Sequence, residues 1–304
     1  MTLPHDGIDL DVSIYGYVAL LSFSLLQMIF FVVLMLRSSN QNEKRVEKDT
    51  FFSPINKALI GIFASFIIQN ISEILRRIPR NVASFRIGSV TSYIGLSGAE
   101  YGALMYSWIR SKGIIELIMP NQFNRIRVFV AIAPVLLFAE VFSSTANQIL
   151  IDDPSITKPV SFVHFICTIL AGLTVITSDT LFIYIFIKYL RETQAETHVV
   201  DAKFTIIAKY GIWAIVFEYC AFVLFVIALF TPEIVSAGFI MVAGGFCMNC
   251  VGIALVYIKI KIQRLPAGSV RGTSGIRSET ASEVSKSQLH TFTRSLSIHK
   301  KSNS

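Results

Sequence analysis

The chain has 304 residues, 53% hydrophobic and 15% charged, with a mean hydropathy of +0.60. Soluble domains carry about 25% charged residues, so a chain this apolar could not cover a water-facing surface. Its length suits one membrane domain with a tail rather than two globular domains. The net charge of +7 lies in segments that flank apolar runs, where it sets topology and is no footprint of nucleic-acid binding.

The first thirteen residues contain Asp6, Asp9 and Asp11 and no Lys or Arg. A secretory leader starts with a positive region, so no removable signal is expected, and residues 1–13 read as a short extracellular N-terminus. The apolar run at 14–36 is too long for a leader core and is followed by Arg37, Lys44, Arg45 and Lys48. It reads as a span that stays in the membrane. Further runs follow at 55–75, 87–109, 128–144, 160–187, 204–230 and 234–259. A transmembrane helix needs about 20 apolar residues. The fourth run is the shortest, and the fifth is long enough to tilt or to project beyond the bilayer. None alternates as barrel strands do. The expectation is an all-α membrane protein, a seven-transmembrane helix bundle over residues 14–264.

Orientation follows from the basic residues. With the N-terminus outside, the inner side receives five in the first loop, four in the third, four in the fifth with the start of the sixth span, and nine from Lys259 onward. The outer side receives Arg76, Arg77, Arg80, Arg86 and Lys158, so the division is 22 against five. Positive charge favours the cytoplasmic face, which places the C-terminus inside. The four outer arginines are discordant. They read as interface anchors, or as contacts for anionic headgroups or an anionic ligand.

Residues 257–264 form a basic and apolar segment suited to the inner leaflet. Residues 265–304 are rich in Ser, Thr, Lys and Arg, cannot bury a core, and are expected to be a disordered cytoplasmic tail. Ser274, Ser295 and Ser297 follow arginines there and are candidate phosphorylation sites, where added negative charge would release the basic segment from the leaflet.

Ionisable and polar groups inside apolar spans are expensive and point to function. Asn70, Glu73, Glu100, Glu140, Glu218 and Asn249 are the candidate ligand-binding residues. Of these, Asn70, Glu73, Glu140 and Glu218 would line an outward-opening polar cavity, suited to a cationic or hydrogen-bonding ligand. The alternative is that each acid is protonated or paired within the bundle. Asp179 and Lys209 have similar inner depth on consecutive spans, so an interhelical ion pair is expected, either structural or a switch. Gly95, Gly98 and Gly102 on the third span and Gly244 and Gly245 on the seventh suit close helix packing, with a hinge at the second pair as the functional reading. The Cys-Met-Asn-Cys stretch at 247–250 lacks the further ligands a zinc site needs, so no metal and no cofactor are expected.

Several functions are excluded by missing chemistry. The seventh span has no lysine before Lys259 for a retinal Schiff base, no three-histidine zinc set is present, and only Asp179 among the aspartates lies deep in a span. An enzyme is therefore not expected. By topology alone the chain is like a G-protein-coupled receptor, but the third span has no Cys and ends Tyr-Ser-Trp-Ile-Arg at 106–110, and no Pro follows Asn249. The expected function is a receptor or sensor in the plasma membrane, with membrane lipid, a small ligand, and a heterotrimeric G protein or another cytoplasmic signalling protein as partners. The alternative is a small-solute transporter or channel with a three-one-three helix arrangement. Against that alternative, Pro134 is the only proline inside an expected span, and broken helices often mark transport sites.

Overall fold

The computed structural model describes residues 7–42, 53–78, 82–150, 154–197, 202–231 and 234–263. The expected tail, its three serines and Arg80 lie outside them. The described residues form seven α-helices and no strand: α1 (Gly7–Asn42), α2 (Pro54–Arg77), α3 (Val82–Ile118), α4 (Pro120–Ile149), α5 (Pro154–Thr197), α6 (Ala202–Phe230) and α7 (Ile234–Gln263).

Local chemistry sets the clearest boundaries. Ser53 caps α2, its hydroxyl accepting from the Asn56 amide at 3.4 Å, and Pro54 occupies the first turn, where a missing N–H is harmless. Pro120 does the same for α4. The fourth span, short by sequence, is thus a 30-residue helix that carries Pro134 within it. Helix α5 has 44 residues, about 66 Å at 1.5 Å per residue, roughly twice the hydrocarbon thickness. It begins before the expected span, so Pro159 is also inside a helix.

Six helices are long and apolar enough to cross a membrane: all but α3. Large apolar side chains on their outer faces, such as Phe30, Val135, Phe142 and Trp213, are exposed. That surface suits a lipid environment and would be a liability in water. Helix α3 is less apolar for a physical reason. It packs against α2, α4 and α5 and buries many Gly, Ser, Ala, Glu and Tyr residues, leaving a narrower exposed apolar face that includes Ile87 and Ile94.

The helices follow one another around a ring, closed by α7 against α1. Helix α2 also touches α7, and α3 reaches α5, which leaves α4 on the flank against α3 and α5 alone. The tightest seam lies between α2 and α3. Gly88, Gly95 and Gly102, seven residues apart, face α2, and Gly98 faces Ser65 beside them. A methyl group on Gly95 would stand 2.7 Å from the backbone nitrogen of Gln69, and one on Gly88 would stand 3.0 Å from the Ser72 carbonyl. Only hydrogen fits there, so the two backbones meet directly. On α7, Gly244 faces the Phe225 ring and Gly245 faces Leu20, and the helix runs through both without a break.

The apolar core fills the half of the bundle away from the N-terminus. Leu59, Phe63, Leu104, Ile115, Phe186 and Ile258 belong to it. The other half holds a cavity in which buried acids and amides are set among apolar side chains.

Candidate functional site

Side chains at helical spacing turn polar stripes inward on several helices. On α2 the stripe is Phe66, Gln69, Asn70, Glu73 and Arg76; on α3 it is Ser92, Tyr93, Leu96 and Glu100. Helix α6 contributes Glu218, Phe222 and Phe225, and α7 contributes Met241, Met248 and Asn249. With Tyr17 of α1, Glu140 of α4 and Thr168 of α5 they enclose one cavity of about 100 Å³, room for several waters or a small solute. The contributing positions run from the N-terminal side of the bundle to about the middle of the helices, where Phe66, Glu100 and Asn249 lie. All six residues expected at a ligand site, Asn70, Glu73, Glu100, Glu140, Glu218 and Asn249, line this cavity.

Their surroundings separate them into two groups. Glu73 is satisfied. Its Oε2 accepts from Arg76 at 2.8 Å and also from Arg77, and its Oε1 accepts from the Ser92 hydroxyl at 2.6 Å. Arg77 in turn donates to the Tyr17 hydroxyl at 3.3 Å and lies 4.2 Å from that ring's centre. Two of the discordant arginines are therefore counter-charges for a buried acid one turn earlier on the same helix.

Asn70 and Asn249 are tied to α1. Ser24 donates to Asn249 Oδ1 at 2.8 Å and accepts from Asn70 Nδ2 at 3.2 Å, while Gln27 donates to the Asn249 carbonyl at 3.2 Å. Asn249 Nδ2 donates within α7 to the Gly245 carbonyl at 3.0 Å. These amides knit α1, α2 and α7 at the cavity wall.

The second group consists of carboxyl groups short of donors. Glu140 accepts from Ser97 at 2.6 Å through Oε1. Its Oε2, with Glu100 Oε2 and Glu218 Oε2, is sealed without a hydrogen-bond partner. Electrostatic coupling runs from Glu140 to Glu100 and on to Glu218 and Asp179. The acids thus form a file from the cavity toward the apolar core.

The expected Asp179–Lys209 pair is not formed. Asp179 is buried at 8% exposure and faces Glu218, Ser107 and the guanidinium of Arg110. Lys209 is exposed on α6, 5.9 Å from the centre of the Tyr210 ring. Equal depth on neighbouring helices does not mean equal direction around their axes. The cation near Asp179 comes from α3, where Arg110 also donates to the Tyr106 hydroxyl at 3.3 Å and lies over the Phe186 ring.

Sequence reasoning missed Ser24, Gln27, Ser92, Tyr93, Ser97 and Arg110. Ser92 and Tyr93 were recoverable from helical spacing to Glu100. Ser24 and Arg110 carried no comparable signal, because their roles depend on which distant helix they face. Among the described residues no three His, Cys, Asp or Glu side chains are placed to hold a metal ion. Cys247 and Cys250 are half-buried free thiols.

No family model matches the chain, and neither a curated protein nor a solved structure matches it.

Proposed function

We propose that this chain is a multi-pass receptor or sensor of the plasma membrane, its seven helices all spanning the bilayer with the N-terminus outside and the C-terminus inside. A small ligand occupies the cavity from outside. The response passes to a G protein or another cytoplasmic protein through the basic inner loops and the tail at 265–304. One observation carries this reading: the cavity lies in one half of the bundle, and a packed apolar core closes the other half. A cup closed at one end suits a protein that binds and reports, whereas a carrier must open to both sides. The seventh span, α3, is then polar because protein more than lipid surrounds it.

The second reading, a three-one-three transporter, draws support from α4. With α4 on the flank, α1–α3 and α5–α7 make a six-helix ring in which the contact of α3 with α5 mirrors that of α7 with α1.

The two readings separate in cells and proteoliposomes. The full chain is co-expressed with G-protein subunits while a library of small solutes is applied and nucleotide exchange is measured. The expected result is exchange evoked by a solute, with the dose dependence shifted in Glu218→Gln at equal surface expression. Accumulation of that solute inside proteoliposomes, without exchange in cells, establishes the transporter instead.

A further inference from the structure

The polar groups around the cavity are unequally satisfied, and the shortfall has one sign. Glu73 is saturated by two arginines and a serine, and both asparagines are absorbed by Ser24. What stays unpaired is acceptor: the Oε2 atoms of Glu100, Glu140 and Glu218. These residues are 8%, 0% and 6% exposed and come from α3, α4 and α6. All three line the same space. Arg76 is the cation on the lining, and it is engaged with Glu73. The site therefore calls for donors and positive charge from its occupant.

The occupant's shape is also constrained. Among the described residues no three acids converge to hold a metal ion, which favours an occupant with its donors spread over a larger body. The lining also includes the rings of Phe66, Phe222 and Phe225; aromatic rings attract an ammonium electrostatically and accept an apolar body. An anion would meet the acids without a free cation to balance it.

We propose that the cavity binds a small organic ammonium ion, its N–H groups divided between Glu100 and Glu218 with Glu140 alongside, and its hydrocarbon part against the phenylalanines. The proposal rests on the reading of this cavity as a ligand site and adds the chemical class of the ligand.

The test uses the full chain in nanodiscs of neutral lipid, with empty nanodiscs as the blank for partitioning. Saturation-transfer NMR is recorded with three probes of one carbon skeleton: n-butylamine, n-butanol and butyrate. The expected result is saturable binding of n-butylamine, at least about tenfold tighter than n-butanol, with no binding of butyrate, because a charge-assisted hydrogen bond supplies that factor or more. Glu100→Gln and Glu218→Gln each weaken n-butylamine by about tenfold, while Glu192→Gln, on an exposed pair with Lys188, leaves it unchanged. The comparison of probes on the unaltered protein stands even where a variant fails to fold. Equal binding of alcohol and amine, binding of butyrate, retention of amine affinity in both cavity variants, or no saturable binding up to about 10 mM overturns the proposal. Amine binding without any cytoplasmic response leaves the ligand class standing and removes the receptor reading. Binding of the alcohol or the acid at this cavity does the reverse.

Discussion

Asp179 on α5 and Glu218 on α6 face each other within hydrogen-bonding reach. A hydrogen bond between two carboxyl groups needs at least one proton held between them. Arg110 on α3 is the cation that acts on Asp179 electrostatically. Three helices thus meet at the inner end of the cavity, which Glu218 itself lines. Arg110→Gln should lower thermal stability by about 1–2 kcal/mol, less than the 3–5 of a fully buried pair because Arg110 is half-buried. Adding Asp179→Asn should restore part of it, since the amide removes the stranded charge. Unfolding curves of the two singles and the double give the coupling; simple additivity would show that the residues do not act together.

Glu73 supports a different unit at the cavity's rim. Replacing it with Gln leaves Arg76 and Arg77 without their carboxylate, at a cost of about 2–4 kcal/mol. Ser92→Ala removes one 2.6 Å bond and should cost about 1 kcal/mol. Thermal unfolding in a single detergent ranks the two, and a larger loss for Ser92→Ala contradicts this account of the rim.

The seam between α2 and α3 makes a sharp prediction about glycine. Gly95→Ala places a methyl against backbone, which cannot rotate away, so a loss of at least about 2 kcal/mol is expected. Gly61→Ala on α2 meets nothing within 4 Å and should be neutral or stabilising by up to about 1 kcal/mol. Comparable melting temperatures for the two variants would mean that the seam is looser than described.

Ser24 links Asn70 to Asn249. Interhelical hydrogen bonds in membranes average about 0.6 kcal/mol and reach about 1.7. Ser24→Ala should fall in that range, and Asn249→Ala added to it should cost less than its own single effect. A fully additive double variant would sink the network.

Much of the fold was readable because lipid imposes length and apolarity on each span. The acids of the cavity were readable for the same reason: Glu100, Glu140 and Glu218 stand out where charge is costly. Direction around a helix axis was not readable. Asp179 was therefore matched with Lys209 at equal depth, when Arg110 on α3 is the residue that faces it. Arg76 and Arg77 read as interface anchors or anion contacts when counted by topology alone. Their spacing of three and four residues from Glu73 held the better explanation. The glycines of α3 signalled close packing, but their partner α2 emerged only from the seven-residue stagger of Gly88, Gly95 and Gly102.

That stagger also ratchets α2 against α3. A slide of seven residues, about 10.5 Å of travel, returns only two of the three glycines to their contact points on α2. Intermediate offsets put side chains where only hydrogen fits. On the receptor reading proposed above, this pair is the fixed part and ligand-driven displacement is expected in α5 and α6, whose mutual contact is the least extensive between consecutive helices. An engineered disulfide locking α2 to α3 should leave the cytoplasmic response intact, whereas one locking α5 to α6 should silence it. The opposite outcome would place the moving part in the seam itself.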